Sequence, residues 1–88
     1  MIFNIDDLKK KIIYRSTYRG TKEMDALISS FTKKIINDLN KDELINLSNL
    51  LDIDDENLYK FNQGLSPTVD IEENKVTELF KNFIYKND

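Results

Sequence analysis

The 88-residue chain has no cysteine and no histidine, one proline and two glycines, and it bears a formal net charge of −3. Without cysteine there is neither a disulfide framework nor thiol chemistry. Without histidine as well, Ser-His and Cys-His nucleophile pairs and ordinary zinc sites are excluded, so any catalysis would rest on carboxylates, lysine or tyrosine. The scarcity of glycine and proline argues against disorder and against a turn-rich β-fold. The negative balance gives no general attraction for nucleic-acid phosphates or anionic lipid, and the short basic run Lys9-Lys10-Lys11 follows Asp6 and Asp7 closely enough to read as a solvated helix face. Apolar runs stop at three residues, as in Ile12-Ile13-Tyr14, so no membrane insertion is expected. Met1 to Asp7 carries acids where a secretory signal needs a basic start, and the expected location is cytoplasmic.

What is present is helical periodicity. Apolar positions at Ile5, Leu8 and Ile12 predict a first helix from Asn4 to Tyr18, with Asn4 or Asp6 as cap and Gly20 just beyond its end. Thr21 caps a second helix carrying Met24, Leu27, Ile28, Phe31, Ile35 and Leu39, and Asn40 with Glu43 resembles a capping box opening a third with Leu44, Leu47 and Leu51 buried. Asp54 caps a short fourth helix with Leu58 and Phe61, which Gly64 stops. Asp70 with Glu73 is read as the cap of a fifth bearing the stripe Val76, Leu79, Phe80, Phe83 and Ile84. The expected fold is all-α, a compact five-helix bundle forming a single small domain over residues 1–88.

Only two of the thirteen basic residues are arginines, Arg15 and Arg19, and both lie within six residues of Gly20. A guanidinium is a planar fork of donors suited to carboxylates, phosphates and aromatic faces, whereas lysine is a mobile point charge. Helix-end chemistry accounts for Arg19-Gly20-Thr21-Lys22-Glu23 except for the choice of arginine over lysine; a recognition surface is the alternative. The acidic junction Asp52, Asp54 and Asp55 lacks the central glycine and twelfth-position glutamate of a calcium loop, so capping is favoured over metal binding.

The same stretch resembles the signature of the succinate dehydrogenase flavinylation factors. The resemblance lies in Arg19, Gly20 and Glu23 as an RGxxE core, in the flanking Tyr14-Arg15-Ser16 and Met24-Asp25, and in Leu27-Ile28 and Phe31. A second segment, Leu50-Leu51-Asp52, Asp54-Asp55, Leu58-Tyr59, Gly64 and Pro67, is similar too, and the likeness covers roughly residues 8 to 84. Phe61 stands where members often have Trp, and Glu56-Asn57 replaces a segment that often contains Pro.

The resemblance implies a non-enzymatic chaperone that binds the flavoprotein subunit of succinate dehydrogenase, with fumarate reductase as a further client, and promotes covalent attachment of FAD. FAD is then the client's cofactor, none is tightly bound to the factor, and the bond between the flavin 8α-methyl carbon and a client histidine is driven by the flavin's own electrophilicity. The implied partner-binding residues are Arg15, Arg19, Gly20, Glu23 and Asp25, with Asp54 and Asp55 as a secondary contact, and the factor is expected to be a monomer that binds neither nucleic acid nor metal. Arg19 is expected to offer its fork to the partner, so that Arg19→Ala and Gly20→Arg leave the fold intact while stopping flavinylation. The alternative function is a generic helical interaction module with a different protein client.

Overall fold

The computed structural model describes residues 4–85, and five α-helices with one 3-10 turn account for its regular structure. Helix α1 (Ile5–Thr17) begins where the Asn4 side chain accepts the amide of Asp7, and α2 (Lys22–Ile35) where the Thr21 hydroxyl accepts that of Met24. Helix α3 (Lys41–Leu50) opens with the expected reciprocal box: Asn40 and Glu43 each accept the other's backbone N–H at 2.9 Å. That backbone bond, followed by Lys75 on the last helix, holds the Glu43 carboxyl below the usual carboxylate range. Helix α4 (Asp55–Asn62) is capped by Asp54, whose carboxyl is likewise lowered, chiefly by the Asn57 side chain. It ends in paired reversed bonds, Leu65 N–H to Lys60 C=O and Gly64 N–H to Phe61 C=O, which Gly64 permits at φ +76°.

Two elements differ from the periodicity. The stripe assigned to a single second helix breaks after Ile35 into a 3-10 turn, Ile36–Asp38, and the tighter winding buries Ile36 and Leu39 together. The last helix, α5 (Lys75–Lys81), starts four residues later than Asp70 implies, because Asn74 and Thr77 form a complete capping box of their own. Residues 70–73 stay non-helical, and Ile71 packs against the core from there. Leu79 and Ile84 therefore point outward, Ile84 being 77% exposed, and Phe83 reaches the core from beyond the helix end. Ile5, one of the apolar positions that predict the first helix, is exposed in the first turn of α1.

The core is built around Phe31 of α2 and Phe80 of α5, whose rings lie 5.0 Å apart at 56°, with Phe83 5.4 Å from Phe31 and Phe61 6.3 Å from Phe80. Ile12, Ile28, Leu44, Leu47, Leu58 and Val76 complete it, each with essentially no exposed surface. The buried Asn62 amide donates to the carbonyls of Phe80 and Phe83, satisfying the end of α5 and fixing where its chain leaves the helix. Phe80→Ala should lower stability by about 3–5 kcal/mol, since it empties the centre of this cluster. A urea titration measures this, and an unchanged midpoint would contradict the packing described.

Candidate functional site

The turn between α1 and α2 faces the turn between α3 and α4, and the two arginines join them. Arg19 is largely buried, its side chain 11% exposed, and each arm of its fork has a different acceptor. Nε donates to Asp55 Oδ1, one terminal nitrogen to the carbonyl of Leu51 and the other to the carbonyl of Ile53, all at 2.8 Å. Leu51 is the C-cap of α3, so its carbonyl belongs to the helix end that has run out of intrahelical donors and carries the negative pole. Asp55 is the first residue of α4. One guanidinium thus ties three acceptors of the α3–α4 turn, a task for which a lysine ammonium has the wrong shape.

Arg15, one turn earlier, repeats the arrangement nearer the surface. It donates to the Ser48 hydroxyl at 3.0 Å and pairs with Asp52. Asp25 acts from the other side: its Oδ1 accepts the backbone N–H groups of both Arg19 and Gly20, which folds the α1–α2 turn back onto the start of α2. Gly20 sits at φ +135°, a region that residues with a Cβ avoid. Space is not the constraint there, because an added Cβ would meet only Asp55 Oδ2 at 3.8 Å. Backbone conformation is.

The expected site residues are therefore gathered in one place but play unequal parts. Arg15, Arg19, Asp25 and Asp55 are engaged within the chain, and Asp54 is occupied as the α4 cap. Gly20 and Glu23 are exposed, and Glu23 has no hydrogen bond or ion pair among the described residues. The expectation that Arg19→Ala and Gly20→Arg spare the fold does not agree with this geometry. Arg19 closes a tertiary contact, and any side chain at position 20 meets an unfavourable φ. The three acids of the 52–55 junction turn to three different partners, and among the described residues no group of acids is placed to hold a metal.

A family model described as the flavinator of succinate dehydrogenase matches residues 10–84, a stretch that contains both arginine-bound turns. The chain belongs to that family.

Curated members similar to it are succinate dehydrogenase assembly factor 2, mitochondrial, of Drosophila grimshawi, 31% identical over 78 residues, and its namesake in Aspergillus flavus, 29% identical over 79. The Scheffersomyces stipitis protein of the same name is 39% identical over 51 residues, or 58% of this chain and 34% of its own length. The first two alignments take in 86% and 89% of this chain, but 53% and 27% of the relatives, so the chain spans about half their length or less. No solved structure matches.

All three flavinator-family relatives are named as mitochondrial, which overturns the expected cytoplasmic location. The acids near Met1 spoke only against secretion and carried no information that separates one non-secretory compartment from another. Among the described residues no helix is long and apolar enough to cross a membrane.

Periodicity did not find the surface next to Glu23. Met24 and the half-exposed Tyr59 stand beside it, lining two adjoining hollows. The available signal was spacing: Tyr59 follows Asp55 by four residues on the same helix face, and Asp55 is what Arg19 holds.

Arg19→Ala should cost on the order of 3 kcal/mol, the scale of breaking a largely buried ion pair. Arg19→Ala and Asp55→Ala should be non-additive by more than about 1 kcal/mol in a double-mutant cycle. Additive losses in urea denaturation would contradict a direct coupling.

Proposed function

We propose that this chain is an assembly factor without covalent chemistry of its own, which binds the flavoprotein subunit of succinate dehydrogenase and promotes attachment of FAD to it. The observation that carries this reading is the match to the flavinator family over residues 10–84, the span in which the chain fixes the RGxxE turn with its only two arginines. In this reading Gly20 and Glu23 meet the client, while Arg15, Arg19 and Asp25 hold the turn in the shape that does so. FAD belongs to the client, and the factor acts by favouring a competent client conformation. A chain without histidine or cysteine has few groups to offer the reaction itself, which fits a conformational role. The factor works as a monomer, and fumarate reductase, a related flavoprotein, is a further client.

A charge that becomes buried in an interface costs about 2–5 kcal/mol of binding when its partner is left unpaired, enough to prevent assembly at ordinary concentrations. The test is deletion and rescue in cells lacking their own factor, reading covalent flavin on the flavoprotein subunit by in-gel fluorescence. The intact chain should restore the signal. Glu23→Lys should not, although its thermal midpoint matches that of the parent. Full rescue by Glu23→Lys would remove Glu23 from the client contact, whereas failure of the intact chain to restore the signal, or normal covalent flavin without any factor, would contradict the proposal.

A further inference from the structure

The first turn of α2 and the outer face of α4 leave a pair of hollows, one apolar and one lined also by Asn62, Gln63 and Lys81, that adjoin at Glu23, Met24 and Tyr59. One, of about 400 Å³, runs toward Leu27, Phe83 and Ile84; the other, of about 440 Å³, runs toward Leu65 and the stem of Lys60. Tyr59 is 50% exposed and Leu65 57%, so the apolar surface continues beyond the hollows instead of closing over them.

The charges around this surface are unevenly satisfied. Asp55 is bound by Arg19, and Glu56 is paired with Lys60 at 3.3 Å. Glu23 is the carboxylate left over, and it stands where the two hollows meet. Lys81 lies on the wall of the first hollow and has no acidic partner among the described residues. Apolar side chains at Met24, Tyr59 and Leu65 on one side and Leu27, Phe83 and Ile84 on the other, with the unpaired Glu23 carboxylate between them and Lys81 farther along the wall, are complementary to a segment that presents two apolar side chains with a cation between them.

From this complementarity we infer that the paired hollows receive one segment of the client flavoprotein, in which a lysine or arginine is flanked by apolar side chains. The cation meets Glu23, and the apolar groups enter on either side of Tyr59. This deepens and rests on the reading under Proposed function, because it specifies what the client brings to the RGxxE turn. The Arg19 clasp enters only indirectly: by holding Asp55 it sets how far α4, and therefore Tyr59, stands from Glu23.

The test places a photoreactive p-benzoylphenylalanine at Tyr59, and in a separate protein at Tyr14, which is 67% exposed on α1. Each is mixed with purified flavoprotein subunit lacking covalent flavin, irradiated, and the linked peptides are sequenced by mass spectrometry. Position 59 should link to one client stretch with a lysine or arginine between apolar residues, and position 14 should not link to it. Glu23→Lys should weaken binding at least tenfold, and replacing the client cation by glutamate should restore it to that variant. Equal binding by Glu23→Lys, links from position 14 alone, links to an acidic stretch, or links from position 59 to a second copy of the chain would overturn the groove assignment while leaving the client intact. Failure of the unsubstituted chain to bind the flavoprotein at all would overturn both.

Discussion

The RGxxE turn depends on a single guanidinium held by the far side of its own molecule. Arg19 joins a carbonyl at the end of α3, a second carbonyl two residues on, and the first carboxylate of α4. These acceptors would otherwise be left at a junction with few donors, since a helix end exposes carbonyls without partners and the next helix has not yet begun. Supplying three donors in one plane satisfies them together and fixes the α1–α2 turn against the α3–α4 turn. Removal of the arginine leaves all three acceptors to find water at once.

From that contact the rest of the surface follows. Asp25 gathers the backbone amides of Arg19 and Gly20, Gly20 accepts the backbone angle that the fold-back demands, and Thr21 starts α2 immediately afterwards. Glu23 then falls on the outside of the first turn, opposite Tyr59 on α4. A signature written as arginine, glycine and glutamate therefore divides its labour: the arginine builds, the glycine bends and the glutamate is left available.

Much of this was legible in the residues themselves. The caps at Asn4, Thr21, Asn40 and Asp54 and the Gly64 stop were readable because each is decided by local backbone bonds within three or four positions. The start of α5 was not, because two acceptable caps, Asp70 and Asn74, compete, and the choice rests on Ile71 reaching the core and on the reciprocal Asn74–Thr77 pair. The arginines stand out in the sequence as a recognition surface, but their donors turn inward. Nothing local distinguishes an arginine aimed at a partner from one aimed at a loop thirty-odd positions away; the acidic junction at Asp52 and Asp55 was the complementary half.

The most direct measurement is the nitrogen-15 spectrum of the arginine side chains. With only two arginines in the chain, each can be assigned without ambiguity. A clasped Arg19 should show separate, slowly exchanging terminal N–H signals, because rotation about its guanidinium bonds is blocked by three fixed acceptors. The signals of the more exposed Arg15 should average sooner on warming. Fast-exchanging, averaged signals from Arg19, like those of an arginine in water, would contradict the clasp and the account of the turn built upon it.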